Sequence, residues 1–570
     1  MPNFIIPSLL FVDGLVFILA AIFAQNIGLD PDVTWGRGRL VLLSFGAIAI
    51  FISLLLFTFK KRKNYFFESI IKSEKYKMLF ALMHLWAIIF IIYAGFITFG
   101  NFTTWTHTTH YYTQLADAFS EGNLFVDRKP DKALLEAVDP NNATNRPHFD
   151  DEIWDMSLYK GRLYLYWGPV PALLIMPIQL VFDIKITDNY LVFFFLSGLL
   201  IFNSLIIVWL RKNIFPEIPA KYLFICILLI GLILPISWSA NIPNVYEAAI
   251  GAGQFFLIGG IYFSLSIFEE QSSFDKTKLF LAGLFWACCV ASRAINVASV
   301  IFLTLMILFW IIRKLPRPIK WMECFRAVIP LFVPLIAGAL IIGWYNWARF
   351  DSPLEFGLRY QITIYNLNKQ ANLVFEPAYF FPNLYAYVFH PFEIISKFPF
   401  IQPTIASVAL QNFNIAVPGF YYAGRVVGFL LSAPFLFLAL VHLSSIYKAF
   451  RGKDFLAFQE PYSFILLLLC GSFFISFTII LFYFYGQMRF LVDVISQITL
   501  LAILGYWQVV SRKLRLNSFQ SKLFLFLANL FLIATICAGM LLAFSSETSR
   551  FETLNPQFFK TINQILNIQK

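Results

Sequence analysis

The stretch DNYLVFFFLSGLLIFNSLIIVWLRK, residues 188–212, decides the class of this protein. Its apolar core is long enough to cross the hydrocarbon layer of a bilayer, which is about 30 Å thick and takes roughly 20 helical residues. The run ends in Arg211 and Lys212, and a basic pair of this kind marks the cytoplasmic end of a span. The stretch therefore predicts a transmembrane helix that starts on the outer side.

Similar apolar runs recur along the chain of 570 residues, of which 59% are hydrophobic and 13% are charged. Soluble domains carry about 25% charged residues. We therefore predict an all-α polytopic membrane protein, a single integrated membrane domain over residues 1–570 with about 13 transmembrane helices. The predicted spans are 5–25, 40–59, 78–99, 188–210, 220–240, 246–268, 279–292, 294–312, 325–346, 421–446, 461–484, 491–510 and 523–545.

Basic clusters predict the orientation of these spans. If the N-terminus is inside, five basic clusters all fall on the cytoplasmic side: KKRK at 60–63, RK at 211–212, RKLPRPIK at 313–320, YKAFRGK at 447–453 and SRKLR at 511–515. The net charge of +11 is then a topology signal, and we expect no nucleic-acid partner. The proline-rich segment 168–183 is expected to be an interfacial or re-entrant helix outside. Two long outer loops result, 101–187 and 348–420.

The first outer loop begins with HTTHYYTQLADAFSE, residues 107–121. At helical spacing one face carries His107, His110, Gln114, Asp117 and Glu121, and another carries Tyr112, Leu115, Ala116 and Phe119. We predict an amphipathic helix that lies along the outer surface. Its polar face is either simply solvated or turned to a cavity, where a carboxylate or an imidazole can accept a proton from an acceptor hydroxyl.

A second polar stretch, RPHFDDEIWDMSLYKGRLYLYWGPVPALLIMP, covers residues 146–177. Its acidic cluster lies beside His148 and comprises Asp150, Asp151, Glu152 and Asp155. Hard oxygen ligands suit a divalent cation such as Mg or Mn, but the spacing matches no specific metal motif, and a solvated acidic turn is the alternative. We expect a substrate cavity lined by His107, Gln114, Trp154, Tyr159 and Trp167, although interface anchoring also explains the tryptophans.

Five arginines gather near the predicted outer boundary, where the positive-inside rule disfavours them: Arg293, Arg349, Arg359, Arg425 and Arg489. An anionic lipid phosphate would explain them, because the planar guanidinium binds phosphate in a fork. We expect this role for Arg293, Arg489, Arg349 and Arg425. The alternative is local pairing, of Arg489 with Asp493 and of Arg349 with Asp351 or Glu355.

Taken together, four stretches resemble the GT-C superfamily of membrane glycosyltransferases, which includes the protein O-mannosyltransferases and the aminoarabinose transferases. HYYTQLADAFSEGNLF at 110–125 is similar to a tyrosine-rich stretch that follows the first catalytic turn of the family, and YKGRLYLYWGPVPALL at 159–174 resembles its segment with paired prolines. GWYNWARFDSPLEFG at 343–357 is similar to its YN…RFG-P stretch, with Asp351 where Gly is usual. QMRFLVD at 487–493 resembles its C-terminal RY…D turn.

This resemblance implies transfer of a sugar from a polyprenyl-phosphate-type lipid carrier to a glycan, lipid or protein acceptor, by a single inverting displacement. One departure affects the base. The family usually places an acidic residue just before the tyrosines, where this chain has Thr108 and Thr109. We therefore expect the base among Asp117, His110, Asp151 and Asp150, in that order of preference.

Two other functions stay open: a transporter or flippase of a lipid-linked sugar, and a non-catalytic envelope-assembly protein. Transporters usually show internal repeats and charged residues near the bilayer midplane. We find no internal repeat, and the charges gather at the outer edge. The Lys-, Ile-, Phe- and Asn-rich composition favours a bacterial source, hence an inner membrane protein, and the predicted topology places its active side outward.

Overall fold

The computed structural model describes residues 5–25, 35–59, 73–102, 104–105, 109–146, 153–268, 274–316, 318, 320–413, 415, 417–443, 460–546 and 550–566. The α-helices in these ranges are α1 (Ile5–Ile22), α2 (Arg37–Phe59), α3 (Glu74–Ile97), α4 (Tyr111–Ser120), α5 (Lys132–Leu135), α6 (Val170–Phe182), α7 (Asp188–Asn213), α8 (Ala220–Leu232), α9 (Leu234–Asn241), α10 (Val245–Ser264), α11 (Lys276–Ser292), α12 (Val297–Lys314), α13 (Trp321–Phe350), α14 (Phe380–Leu384), α15 (Ala406–Asn412), α16 (Phe429–Ser432), α17 (Pro461–Leu481), α18 (Val492–Leu516), α19 (Phe519–Phe544), α20 (Arg550–Leu554) and α21 (Pro556–Leu566).

Short strands and 3-10 turns complete the described fold. The strands are β1 (Ser157–Tyr159), β2 (Arg162–Tyr164), β3 (Phe392–Ile394), β4 (Ile401–Ile405), β5 (Tyr422–Ala423), β6 (Arg425–Val426) and β7 (Tyr485–Gly486). They pair as β1–β2, β3–β4–β6 and β5–β7. The 3-10 turns used below are Ala294–Asn296, Leu358–Tyr360, Pro434–His442 and Met488–Leu491.

The chain is an all-α, multi-pass integral membrane protein. Within the described ranges, eight helices are long and apolar enough to cross a membrane, and the bent pair α8–α9, with an angle of 46° between its halves, makes up to nine. The eight are Glu74–Ile97, Asp188–Asn213, Val245–Phe268, Ala294–Lys314, Trp321–Phe350, Pro461–Leu481, Met488–Leu516 and Phe519–Phe544. Each of them coincides with a span predicted from the sequence.

The predicted count of 13 spans is not confirmed. Helices α1 and α2 are not among the eight helices found long and apolar enough to cross within the described ranges, and α11 has 17 residues. The predicted span 421–446 does not form one α-helix over its described part, 421–443. It begins with strands β5 and β6, continues as the four-residue α16, and then forms a 3-10 turn from Pro434. Pro434 has no amide hydrogen to continue the helix, which explains the break.

Close helix contacts in the bundle depend on small residues. A Cβ atom at Gly260 in α10 would lie 2.3 Å from the indole nitrogen of Trp286 in α11, and one at Gly259 would lie 2.4 Å from Phe285. The two glycines therefore let α11 approach the α10 backbone. Helix association in lipid depends on such packing, because lipid tails are as apolar as the side chains that they would cover.

The two outer loops are joined into one cap. The backbone amide of Asp155 donates to the Ile362 carbonyl (2.9 Å), and the Ile362 amide donates to the Met156 carbonyl (2.8 Å). Asp139 in the first loop forms an ion pair with Lys369 in the second (2.8 Å). Hydrogen bonding to Lys369 lowers the pKa of the Asp139 carboxyl. The cap builds one side of the cavity described next.

Candidate active site

A cavity of about 710 Å³ lies between the two long loops and the ends of the helices beside them. Its polar wall includes Asp155, Tyr246, Arg293, Arg349, Glu355, Arg359 and Arg489. Its apolar wall includes Val290, Ala291, Val297, Ala298, Ile342, Ile479 and Ile480, from the neighbouring ends of α11, α12, α13 and α17. Trp154 and Trp167 also line it. The cavity therefore joins a charged pocket to an apolar groove between helices.

Asp155 is the buried carboxylate of this pocket, with 7% of its surface exposed. Its backbone has a positive φ of 61°, which aspartate tolerates better than most residues. The Tyr246 hydroxyl donates a hydrogen bond to its Oδ2 atom. Burial raises the pKa of the Asp155 carboxyl, against the opposing effects of the Tyr246 hydroxyl and the Arg489 charge. A carboxylate with a raised pKa is a better proton acceptor near neutral pH.

The guanidinium groups of Arg293 and Arg489 both lie near the Phe490 ring, 5.7 Å and 5.4 Å from its centroid. Arg293 is half-buried in the break between α11 and α12 and forms a forked ion pair with Asp493, with Nε–Oδ1 at 2.9 Å and Nη2–Oδ2 at 2.6 Å. The Arg489 guanidinium lies 4.3 Å from the centroid of the Tyr246 ring. Asp493 therefore binds Arg293, whereas the sequence alternative paired it with Arg489.

Arg349 also lines the cavity, but its guanidinium holds the fold together. It donates to the Leu165 carbonyl (2.7 Å) and to Asn346 Oδ1 (2.8 Å), and only 3% of its surface is exposed. The alternative in which Arg349 pairs with Asp351 or Glu355 is not found, since Asp351 pairs with Lys160 and Glu355 pairs with Arg359. Arg349 ties the first loop to the end of α13.

Arg425 lies apart from the described cavity wall. Its Nη1 atom donates to the carbonyl of Ser546 (3.3 Å), which connects strand β6 to the end of the last span. The structure thus brings three of the four predicted phosphate-binding arginines to one cavity and leaves the fourth elsewhere.

The predicted amphipathic helix is present as α4, and its buried residues include Tyr112, Leu115 and Ala116. Its polar face does not reach the cavity. Both Asp117 oxygens lie 2.7 Å from Lys185 Nζ, and Gln179 donates to one of them (3.1 Å). Among the cavity-lining residues that the structure describes, neither Asp117 nor His110 is present. Asp117 is instead part of a half-exposed ion pair beside α6.

A buried carboxylate that the sequence interpretation did not single out caps α4. Asp188, at the start of α7, accepts from the amides of Tyr111 (3.0 Å) and Tyr112 (3.2 Å) and from the Thr109 hydroxyl (2.6 Å). The Thr109 hydroxyl also accepts from the amide of Val245 (2.9 Å). Thr109, which stands where the GT-C resemblance expects an acid, is thus a structural link between α4, α7 and α10.

The remaining predicted site residues divide into three groups. Trp154 and Trp167 line the cavity, whereas Gln114 and Tyr159 are not among its described lining residues. Tyr159 donates to Asp351 instead (2.7 Å). His107, Asp150 and Asp151 lie outside the described residues, as do His148 and Glu152.

The predicted divalent cation site falls mostly outside the described chain, because only Asp155 of the acidic cluster is described. In the described ranges no group of three or more His, Cys, Asp or Glu side chains is arranged to hold a metal ion. The cation site at 148–155 stays a prediction.

Sequence reasoning missed Tyr246 and undervalued Asp155. Asp155 was one acid in a cluster, and its only distinguishing signal is its place between Trp154 and Met156 in an otherwise apolar segment. Tyr246 follows a short polar turn at the start of a span, and an aromatic residue there is typical of a membrane interface. Neither position has a local pattern that indicates a shared site.

The comparisons with known proteins give structural matches only. The chain is similar to the oligosaccharyltransferase of Archaeoglobus fulgidus. The apo form of that protein matches with a TM-score of 0.44 and 13% identity, covering 80% of this chain and 55% of that chain. The form tethered with an acceptor peptide containing the NVT sequon matches with a TM-score of 0.45 and 14% identity, covering 86% of this chain and 59% of that chain, and the complex with an inhibitory peptide and a dolichol-phosphate matches with a TM-score of 0.39 and 13% identity, covering 80% and 55%. This chain thus spans less than two thirds of the length of those chains. No protein-family model and no curated protein matches it.

Proposed function

We propose that this chain is a membrane glycosyltransferase that moves a sugar from a polyprenyl-phosphate-type lipid carrier to an acceptor on the outer face of the membrane. The observation that carries the proposal is the cavity that joins a buried carboxylate, Asp155, to arginines and to an apolar groove. A lipid-linked sugar phosphate has these three parts: a reacting sugar, an anionic phosphate and an apolar tail.

The charges around the cavity favour a donor with a single phosphate. Four arginines face it, and each has a negative or carbonyl neighbour: Arg293 has Asp493, Arg359 has Glu355, Arg349 has the Leu165 carbonyl, and Arg489 lies near Asp155. With Asp155 ionised, the four arginines face three carboxylates, those of Asp155, Glu355 and Asp493. About one positive charge is left without a counter-charge. A phosphodiester carries one negative charge and compensates it, whereas buried uncompensated charge is costly.

The proposed transfer is a single displacement. The Asp155 carboxylate takes the proton of the acceptor hydroxyl while the hydroxyl oxygen forms a bond to the anomeric carbon. The bond from that carbon to the phosphate oxygen breaks, and its electron pair leaves with the lipid phosphate. Arg489 and Arg293 stabilise the charge that develops on this oxygen. The attack comes from the side opposite to the leaving group and inverts the configuration.

The GT-C resemblance of the sequence motifs supports the same class of reaction. The acceptor, whether a glycan, lipid or protein, is approached from the outer aqueous side in the predicted topology. Asp117 and His110 remain alternative bases, and Asp150 and Asp151 lie close in sequence to Asp155. A flippase and an envelope-assembly protein remain the competing functions, and the following experiment separates them.

The first test compares a deletion strain complemented with wild type, Asp155→Asn or Asp117→Asn. Mass spectrometry follows lipid-linked sugars and surface glycans. We expect Asp155→Asn to lower transfer by about 100-fold or more, the usual size of a lost general base, and the lipid-linked donor to accumulate. Asp117→Asn is the matched control, because it removes a carboxylate outside the cavity, and its transfer should stay within about twofold of wild type, since an exposed ion pair contributes little.

Full transfer in the Asp155→Asn strain would contradict the assignment of the base. Loss of transfer in Asp117→Asn alone would return the base to α4. A deletion that changes the side of the membrane on which the lipid-linked sugar is found, without changing the chemistry of any glycan, would favour the flippase.

A further inference from the structure

Tyr246 connects the two charged groups of the cavity. It is the second residue of α10, and its hydroxyl donates to Asp155 Oδ2. The Arg489 guanidinium lies over its ring at 4.3 Å, and Trp167 meets the ring edge-on, with centroids 5.2 Å apart and planes at 82°. The ring is therefore held by a cation on its face and by an indole at its edge.

The backbone beneath Tyr246 is anchored as well. The amide of its neighbour Val245 donates to the Thr109 hydroxyl (2.9 Å), and that hydroxyl donates to the buried Asp188 carboxylate (2.6 Å). A side chain in the first turn of a helix moves with that turn, so this chain of contacts limits where the Tyr246 hydroxyl can point. No step of the proposed transfer uses Tyr246 itself.

We propose that Tyr246 is a positioning residue for Asp155: its hydroxyl holds the carboxylate in one orientation toward the cavity and keeps it available as a proton acceptor. The chain Asp188–Thr109–Val245 in turn fixes Tyr246. The role of Tyr246 in catalysis rests on the proposed function. Its effect on the protonation of Asp155, however, can be measured without any sugar transfer.

The sign of the expected effect follows from the groups that face Asp155. These are Tyr246 from α10, Arg489 from the 3-10 turn, Tyr166 from the first loop, Thr363 from the second and Tyr483 after α17. Burial raises the pKa of the Asp155 carboxyl, and the Tyr246 hydroxyl is the first of the groups that lower it. Tyr246→Phe keeps the ring and removes the hydroxyl, so the carboxyl should hold its proton to a higher pH.

The decisive experiment measures the protonation of Asp155 directly. The purified full chain in lipid nanodiscs is treated with dicyclohexylcarbodiimide, which reacts with protonated carboxyl groups, over a series of pH values. Peptide mass spectrometry then quantifies the label on Asp155, with Asp155→Asn as the blank. The matched control is Tyr379→Phe, because Tyr379 is also buried and also loses one hydroxyl hydrogen bond, to the Leu373 carbonyl (2.8 Å).

We expect the midpoint of labelling to move to higher pH in Tyr246→Phe and to stay at the wild-type value in Tyr379→Phe. In complemented cells, the transfer rate at acid pH is divided by the rate that the same variant reaches at alkaline pH. This ratio should be at least about threefold lower in Tyr246→Phe than in wild type, since a hydrogen bond to a charged group is a strong one. Equal labelling of Tyr246→Phe and wild type at every pH, including none in either, overturns the inference. A shifted midpoint together with unchanged glycans in the Asp155→Asn strain would support the contact between Tyr246 and Asp155 and would remove Asp155 as the base of the proposed transfer.

Discussion

Arg293 and Asp493 form a buried ion pair beside the cavity, with exposed side-chain fractions of 15% and 1%. Arg293 ends α11 with an extended backbone (φ −148°, ψ 98°), and its guanidinium reaches Asp493 in α18. Arg489 is four residues before Asp493, but residues 488–491 form a 3-10 turn. The Arg489 guanidinium lies 4.3 Å from the centroid of the Tyr246 ring.

Removal of the carboxylate from this pair should destabilise the protein. In Asp493→Asn the Arg293 charge would stay in a largely buried place without its counter-charge, which costs about 3–5 kcal/mol. We expect the melting temperature of the protein in detergent, measured by tryptophan fluorescence, to fall clearly. Asp351→Asn is the control, because the Lys160–Asp351 pair is exposed by more than half on both sides, and it should cost less than about 1 kcal/mol. Equal losses in both variants would contradict a structural role for the buried pair.

At the scale of elements, helix α6 meets the end of α11 at the cavity wall. A Cβ atom at Gly168, just before α6, would lie 1.9 Å from the backbone oxygen of Ala291. That carbonyl is two residues from Arg293, so the contact sets the distance between the first outer loop and the interrupted helix. Helix α6 has 13 residues, about 20 Å at the rise of an α-helix, which is too short to cross the bilayer.

Gly168→Ala should separate these two elements. A backbone oxygen cannot rotate away as a flexible side chain would, so we expect a loss of about 1–3 kcal/mol in stability, the usual range for overpacking, together with reduced transfer. The measurements are the melting temperature and the glycan profile of the complemented strain. Gly419→Ala should change neither, because a Cβ atom there meets nothing within 4 Å. A fully active, equally stable Gly168→Ala protein would show that α6 can move away without consequence.

At the scale of the whole molecule, the charged cavity and a basic cluster lie at opposite ends of α18. The 3-10 turn before α18 places Arg489 at the cavity, whereas Arg512, Lys513 and Arg515 lie near the other end of the helix. The positive-inside rule therefore predicts that the cavity faces outward.

Cysteine labelling checks this orientation. Val138 in the first outer loop is 98% exposed, and Arg512 stands at the opposite end of α18, where the chain is also exposed. With a membrane-impermeant maleimide on intact cells, we expect Val138→Cys to be labelled and Arg512→Cys to be labelled only after permeabilisation. The wild-type chain gives the background from its own cysteines. The reverse pattern would invert the topology and put the cavity inside.

By itself the sequence determined the membrane class, the eight long spans, the amphipathic helix, which it placed at 107–121, and a group of arginines near the ends of the spans. These features depend on the length of apolar runs, on helical periodicity and on the placement of charges, all of which are local properties of the chain. For the same reason the segment 421–446 was wrongly predicted to be one continuous span, since the prediction considered its hydrophobicity and not the helix break at Pro434.

Only the tertiary structure decided which polar groups share a site. Asp155 meets Tyr246 across 91 residues, and Arg293 meets Asp493 across 200. Asp117 was the preferred base because it lies on the polar face of an amphipathic helix that the sequence pattern predicts. In the structure it pairs with Lys185, which follows α6. Such pairs form because the cap and the helix ends converge in space, and no local spacing in a chain encodes a contact between segments that meet only after folding.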